Sequence, residues 1–375
     1  MEETLMTYQI PKLPLPFELE TKPVLKQLNQ ANRQLAELKG LVQTINESLL
    51  INTLALQEAK DSSEVENIVT THDDLYKSDL DMAGFVNSAA TKEVMKYREA
   101  ILTGFDKVRE TKLVTNNIIK QVQKVLVGNA AGFRKVPGTA LKDANGVTIY
   151  TPPQDARDIE RYMEELEQYI NSPDADDLDP LVKMAVVHHQ FESIHPFYDG
   201  NGRTGRNLSI LFLVSMDLLN LPILYLSRYI THNKTEYYQR IQAVRDSQGS
   251  AAQWQEWILF MLRGIEETSR DTIVLIRRIL NLMAEYEDEL SKLFGKQYHQ
   301  ELLNNLFYHP YTKIEFMQKA LNNVTRKTAS GYLETIVDAG LFEKVKIGRS
   351  NYYINTKLVS ILQNPQGKPQ GISEQ

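Results

Sequence analysis

No cysteine occurs among the 375 residues, which excludes disulfides, thiolate zinc sites and cysteine nucleophiles outright. Tryptophan is almost as scarce. Its two copies, Trp254 and Trp257, lie three residues apart in a helical pattern and read as packing rather than as a base-stacking platform. No apolar run approaches the roughly 20 residues of a membrane-spanning helix, and Met1–Leu13 lacks the basic-then-apolar pattern of a secretory leader. An excess of positive charge is missing too. The 42 Lys and Arg face 48 Asp and Glu, a formal net charge of −6. That balance favours solubility and speaks against general nucleic-acid binding, without excluding a local basic patch. What is present is ordinary for a globular chain: 42% hydrophobic and 24% charged residues, enough for one large domain and a smaller one. These features together predict a cytoplasmic protein with no membrane partner.

The pattern along the chain is overwhelmingly helical. Residues Pro11–Pro23 are proline-rich and extended, and Pro23 suits the first position of a helix. Leu25, Leu28, Leu35, Leu38 and Leu41 recur at helical spacing, and Gln43–Ala59 continues in the same manner. Further helices are expected at about Lys92–Val127, Asp158–Asn171, Asp179–Ile194, Asn201–Leu219 and Lys234–Asp246, then as a pair at Ala252–Thr268 and Thr272–Leu293. One segment departs from this. Phe133–Tyr150 holds Gly138, several β-branched residues and the Asn145–Gly146 dipeptide, a hairpin signal, and Thr151-Pro152-Pro153 stops its second strand. A lone hairpin is marginal by itself; its edge is free to pair with an incoming extended peptide.

The informative segment is His195-Pro196-Phe197-Tyr198-Asp199-Gly200-Asn201-Gly202-Arg203-Thr204-Gly205-Arg206. A helix capped by Asp179 with Pro180 in its first turn precedes it, and another helix follows. The segment is therefore a loop ending at a helix N-terminus, where free N–H groups and the helix dipole attract anions. Gly200 and Gly202 let the backbone approach a ligand. Arg203 and Arg206 share one helix face, and two guanidinium forks beside an anion site suit a polyphosphate. Asp199 is a hard oxygen ligand of the kind that Mg²⁺ on phosphates needs. His195 titrates nearest neutrality and is the natural general base. The parts together point to phosphoryl or nucleotidyl transfer. The plain alternative is a helix–turn–helix corner with surface arginines.

This loop resembles the signature of the Fic family, HPFxxGNGRxxR, and matches it throughout, Asp199 supplying the acidic residue common before the first glycine. The likeness covers about Lys92–Gly264 as a helical core, with a leading segment at about Leu13–Tyr76. It implies protein adenylylation. His195 would deprotonate a Tyr, Thr or Ser hydroxyl of a target protein, whose oxygen attacks the α-phosphorus of ATP and releases pyrophosphate. Asp199 would hold Mg²⁺, Gly200, Asn201 and Gly202 would bind phosphate oxygens, Arg203 the β-phosphate and Arg206 the γ-phosphate. Thr204 and Gly205 belong to the same nucleotide-binding stretch, and Tyr237 stands where the family often contacts adenine. The hairpin would be the family's flap, with Val147, Thr148, Ile149 and Tyr150 aligning the target by strand pairing. A homodimer is a further expectation of the resemblance.

Upstream, Ser62-Ser63-Glu64-Val65-Glu66-Asn67 matches the inhibitory pattern [ST]xxxE[GN] of Fic proteins that carry their own inhibitor. Ser62, Glu66 and Asn67 are its fixed positions. Glu66 brought to Arg206 would form a charge-assisted pair and withhold Arg206 from the γ-phosphate, so that the α-phosphate is misaligned for attack. The resemblance also permits the same carboxylate to support removal of AMP.

His188 and Glu192 share a helix face, yet no zinc-type spacing accompanies them, so packing is the expected role. Near the C-terminus, Thr312–Leu321 and Thr325–Ala339 read as two short helices, and Val345–Ile347 with Tyr352–Ile354 as a small wing. This resembles a winged helix-turn-helix. Pro310–Ile354 holds seven Lys and Arg, including Lys327, Lys344, Lys346 and Arg349, against four Asp and Glu, which suits DNA phosphates; a protein-contacting accessory module is the alternative. The expected chain is mainly α: an N-terminal segment with an inhibitory helix (1–91), a Fic helical core with a β-hairpin flap (92–270), a linker helix and winged-helix-like domain (271–362), and a disordered tail (363–375). Two rival functions stand beside adenylylation: transfer of UMP, phosphate or phosphocholine by the same fold, and a DNA-binding regulator with the core as sensor.

Overall fold

The computed structural model describes residues 8–80, 88–143, 145–172, 175–347 and 350–366. Residues 367–375 of the expected tail, and Gly348–Arg349 of the expected wing, lie outside the described residues. The chain is mainly helical, as expected. Its N-terminal part forms α1 (Lys22–Val42), α2 (Glu47–Val65), α3 (His72–Asp79), α4 (Ala89–Thr111) and α5 (Asn116–Val127). A hairpin of β1 (Leu141–Lys142) and β2 (Thr148–Tyr150) precedes α6 (Ala156–Asn171), α7 (Pro180–Ile194), α8 (Asn201–Ser215), α9 (Leu226–His232) and α10 (Lys234–Asp246). The long α11 (Ala251–Phe294) leads to α12 (Gln300–Tyr308), β3 (Tyr311–Thr312), α13 (Ile314–Ala320), α14 (Arg326–Asp338), β4 (Glu343–Ile347), β5 (Ser350–Ile354) and α15 (Thr356–Gln363).

The core is built on α7 and α8. Every residue from Leu181 to Ile194 is buried, so α7 has no solvent face and runs through the protein interior. Its start follows the sequence signals: the Asp179 carboxylate accepts from Leu181 N at 2.8 Å, with Pro180 in the first turn. Trp254 and Trp257 are fully buried against α7, and Trp257 Nε1 donates to Ala185 O at 2.8 Å. His188 is spent on structure, with one ring nitrogen bonded to Ser209 Oγ and the other to Tyr237 OH, each at 2.8 Å.

Three features differ from the sequence reading. The run expected over Lys92–Val127 is two helices, because Lys112 turns left-handed (φ 58°) and Thr115 caps a new start by accepting from Ile118 N. Conversely, the expected pair around residue 270 is one helix of 44 residues, about 66 Å long. No glycine or proline interrupts 265–294, and the hydroxyls of Thr268 and Thr272 donate back to Gly264 O and Thr268 O, so neither buried hydroxyl is left without a partner inside the continuous helix. Leu25 is 48% exposed while Val24 is buried, because α1 presents the neighbouring row of residues to α11.

Helix α1 lies parallel to α11: Thr21 pairs with Gln255, Gln27 with Glu266 and Glu37 with Arg277, the numbers rising together. The far end of α11 carries the C-terminal module, where Tyr286 OH donates to Leu341 O at 2.8 Å. In that module β3, β5 and β4 form a three-stranded antiparallel sheet beside α12–α14. Helix α2 sits between the two regions. It packs on α4 and α9, and its Asn52 Nδ2 donates to Tyr308 O of α12 at 2.7 Å.

Candidate active site

The site forms where α7 ends. His195 takes a left-handed conformation (φ 50°, ψ 58°) and its N–H closes the helix on Phe191 O at 2.9 Å. Phe197 then drops into the core, fully buried against Phe133 and Phe191. Asn201 staples the loop shut: its Oδ1 accepts from Phe197 N and its Nδ2 donates to Phe197 O, both at 2.8 Å. The Asn201 side chain is thus consumed in holding the loop, and its backbone N–H lies at the start of α8. Gly200 caps α8 with φ 78°, a conformation that favours glycine. Asp199 Oδ1 accepts from Gly200 N at 2.7 Å.

A cleft of about 410 Å³ opens over this loop, lined by Glu66, Ile68, Glu93, His195, Tyr198 and the run Asp199–Arg203. Three segments far apart in sequence meet there. Both arginines of the loop are held by carboxylates. Arg203 Nη1 lies 2.9 Å from Glu93 Oε2 of α4. Arg206 is 1% exposed; its Nη2 donates to Glu66 Oε1 at 2.8 Å and to Ser62 O at 2.9 Å, and its Nε to Ser62 Oγ at 2.8 Å. The guanidinium therefore caps the carboxyl end of α2, the end whose dipole favours a cation. Asn67 follows with φ 62° and accepts from Lys234 at 2.9 Å. Burial alone would raise the Glu66 carboxyl, but the charge and hydrogen bond of Arg206 hold it below the usual carboxylate range.

His195 shows the opposite balance. Burial, then the nearby cations Arg245 and Arg134, push its imidazole down to about 3, so it is neutral at pH 7, with an unprotonated ring nitrogen. Glu192, one turn earlier on α7, is pushed up to about 7 by burial, against the pull of Arg206.

Several expected ligands are placed elsewhere. Tyr237 is 1% exposed and bonded to His188, so it packs the core and lines no part of the cleft; its neighbour Tyr238 is the exposed one, at 43%. Thr204 and Gly205 face inward. A Cβ at Gly205 would come within 2.5 Å of Glu192 Oε1, so this glycine serves the close approach of α7 and α8. On the hairpin, Val147 and Ile149 are exposed and Thr148 with them, but Tyr150 is buried and its hydroxyl donates to Ser193 O at 2.8 Å. Tyr150 is an anchor rather than a docking position. The residues that sequence reasoning missed are Glu93, Arg134 and Arg245. None belongs to a local motif, and only the fold brings them to the loop.

A single exposed carboxylate beside phosphates is the usual demand of Mg²⁺, and Asp199, which lines the cleft, fits that role. No cluster of three metal-binding side chains occurs among the described residues, so a cation at Asp199 would draw its remaining ligands from the substrate and water. No helix among them is long and apolar enough to cross a membrane.

The helical core and its HPFxxGNGRxxR loop define the class. Family models match three successive stretches: the Fic/DOC family N-terminal region at 25–106, the Fic/DOC family at 113–213, and the C-terminal domain of SoFic-like protein adenylyltransferases at 282–358. The chain belongs to the Fic family. Among curated relatives, a protein adenylyltransferase Fic of Nematostella vectensis is 25% identical over 176 residues, 47% of this chain and 37% of that protein. A probable protein adenylyltransferase of Aquifex aeolicus is 44% identical over 54 residues, 14% of this chain and 17% of its own length. The matched part is thus a minority of either relative. Among solved structures, a Fic family protein from Desulfovibrio desulfuricans superposes with TM-score 0.57 at 18% identity, covering 90% of this chain and 97% of that one. A Fic domain containing signaling protein from Bacteroides thetaiotaomicron gives TM-score 0.55 at 16% identity, covering 67% and 97%. Both likenesses concern the fold.

Proposed function

We propose that this chain is a protein adenylyltransferase that moves AMP from ATP to a protein hydroxyl and is restrained by Glu66. The observation that carries the reading is the Arg206–Glu66 pair at 2.8 Å, set beside a cleft that holds His195, Asp199 and the amino end of α8. The substrate's phosphates would lie on the backbone N–H groups at that helix start, where the dipole favours them. Arg203 and Arg206 would clamp the β and γ ends, once released from Glu93 and Glu66. Asp199 would hold Mg²⁺, whose charge offsets that of the phosphates. Neutral His195 takes the proton of a Tyr, Thr or Ser hydroxyl while that oxygen bonds to the α-phosphorus and pyrophosphate leaves. The exposed Val147–Ile149 strand offers an edge for the target segment. With Arg206 withheld, ATP has no partner for its γ end and sits out of line. The names of the curated relatives support the same reaction class.

The test is to incubate the protein and its Glu66→Gly variant with each nucleoside triphosphate and Mg²⁺, and to read the mass added to the protein itself. AMP addition, rising about tenfold or more in the variant, is the expected result. Addition of UMP or phosphate instead would replace the transferred group, and an unchanged rate in Glu66→Gly would remove the restraint. Loss of a bound AMP group, faster with Glu66 present, would support the reverse reaction. Homodimer formation belongs to the same proposal and is checked by the solution mass of the full chain.

DNA contact by the C-terminal module has less support. Arg326 pairs with Glu315 at 2.7 Å and Lys344 with Glu334 at 2.6 Å, so part of the local positive charge is already neutralised. A gel shift of the full chain with duplex DNA at several salt concentrations tests it, since phosphate contacts impose a steep salt slope.

A further inference from the structure

The last carbonyls of an α-helix have no partner within the helix. At the end of α7 they are taken one after another by side chains from outside. Arg245 of α10 donates Nη2 to Glu192 O at 3.0 Å. Tyr150 of β2 donates its hydroxyl to Ser193 O at 2.8 Å. Arg134 donates Nη2 to Ile194 O at 3.3 Å and Nε to His195 O at 2.8 Å, and its backbone N–H reaches Pro196 O at 2.8 Å. Arg245 also reaches Ser193 Oγ at 3.2 Å, and its guanidinium lies 4.0 Å from the centre of the Tyr150 ring.

This arrangement is expensive. Arg134 is 1% and Arg245 4% exposed, and among the described residues neither has a carboxylate within ion-pair distance. Two guanidinium groups are held out of water with helix-end carbonyls and an aromatic face as their compensation. A helix stop alone does not require that, since a single left-handed residue commonly closes a helix. What lies at this end is His195, a non-glycine residue at φ 50°, a conformation that persists only where its surroundings over-determine it.

We propose that Arg134, Tyr150 and Arg245 are positioning residues that lock the backbone of residues 192–196, and so set where the His195 imidazole stands relative to the hairpin. Tyr150 gives the lock its second function. Its strand neighbours Val147–Ile149 face solvent, while Tyr150 itself ties the same strand to Ser193, two residues before the base. The edge that would receive a target segment and the imidazole that would take its proton are then parts of one rigid frame. A shift of about an ångström between them is costly, which is the reason to brace both to one helix end. The proposal rests on the adenylylation reading for its kinetic consequence but not for its geometry.

The experiment uses the full chain in the Glu66→Gly background, with Tyr150→Phe, Arg245→Met and Arg245→Lys. Tyr150→Phe removes one hydroxyl and keeps the ring. It is expected to lower kcat for AMP addition about tenfold while the ATP KM stays within about twofold, because the nucleotide's own contacts are untouched. Arg245→Met is expected to fall further, and Arg245→Lys to recover part of the loss. Transfer at the parental rate in both Tyr150→Phe and Arg245→Met overturns the proposal, as does a loss carried entirely by the ATP KM. The second measurement needs no activity: the Cε1–H signal of His195, identified by its disappearance in His195→Gln. It is expected to move in Tyr150→Phe and Arg245→Met, and an unmoved signal in both overturns the proposal. If Glu66→Gly transfers nothing with any nucleotide, the adenylylation reading fails, and the His195 signal alone decides the positioning role.

Discussion

The loop between α7 and α8 and the C-terminal module both carry clustered arginines and lysines, yet the two regions hold their charges in different ways. In the loop, Arg206 is 1% exposed and bonded to Ser62 and Glu66, and the helix that presents it is buried on nearly every side. In the module, Arg326 and Lys344 stand at the surface, each paired with one neighbouring carboxylate. A buried cation must be compensated or it destabilises the fold, so each of its partners is informative. A surface pair contributes little and forms wherever opposite charges happen to meet. The same residue type therefore carries a functional argument in one region and almost none in the other.

The largest effect that would break this comparison lies at the loop. His195→Ala removes the imidazole placed in the cleft and is expected to lower AMP addition by about 10³-fold in the Glu66→Gly background. Radiolabel incorporation measures it. Persistence of transfer would move the base elsewhere and reduce the loop to a nucleotide-holding corner.

The second effect concerns the helix that delivers Glu66. Glu58 of α2 is fully buried, bonded by Tyr97 OH at 3.1 Å and by Ser227 N at 3.3 Å. Burial pushes its carboxyl up to about 8, against the Ser227 hydrogen bond, with Asp61 adding to the rise. The folded state then binds a proton that the unfolded chain, with an ordinary value of 4.5, has already lost. That contribution to stability is complete below about pH 4.5 and is lost as pH rises through about 8. Glu58→Gln is expected to flatten the dependence. Between pH 5.5 and 8.5 its Tm should fall about 5 °C less than that of the parent. Equal slopes for both proteins would show that Glu58 is ionised and compensated in the fold.

A smaller effect separates the two arginines of the loop. The two pairs are similarly exposed, Arg203 at 6% with Glu93 at 42% and Arg206 at 1% with Glu66 at 34%, but Arg206 is also bound by Ser62 Oγ and Ser62 O, whereas Arg203 donates to Glu93 through Nη1 alone among the described residues. Glu93 competes with a phosphate for Arg203, but through that one contact. Glu93→Gln is expected to lower the ATP KM only about threefold, against the much larger change of rate in Glu66→Gly. An equal or greater effect at Glu93 would make it a second restraint of the same rank.

Much of this site is legible in the sequence. Twelve consecutive residues, His195–Arg206, carry the base, the carboxylate and both arginines, and the Ser62–Asn67 pattern points to the contact with Arg206. Local chemistry also announces the hairpin and the cap at Asp179. The remainder is set by tertiary packing. Tyr237 and Tyr150 have nothing in their neighbourhoods to say that both face inward. Arg134 and Arg245 act through α7 carbonyls whose unmet bonds are invisible in a sequence. Residues 265–294 contain no break, but deciding between one long helix and two requires the packing partners of Thr268 and Thr272.

The smallest expected effect is at the surface of the module, and it sharpens the comparison by its size. Lys344 donates to Glu334, which also accepts from Tyr353 OH at 2.8 Å. The two hydrogen bonds hold the Glu334 carboxyl below its ordinary range, yet the pair stands in solvent. Lys344→Gln leaves Tyr353 as a partner for Glu334 and removes one exposed charge. Its cost should be below about 0.5 kcal/mol, shrinking further at high salt, and AMP addition in the Glu66→Gly background should be unchanged. Chemical denaturation at two salt concentrations reads the first and radiolabel incorporation the second. A larger loss of stability would mean that the module's charges are structural after all, in the manner of Arg206. A change in transfer rate would mean that the surface of the module communicates with α2 through the Asn52–Tyr308 contact.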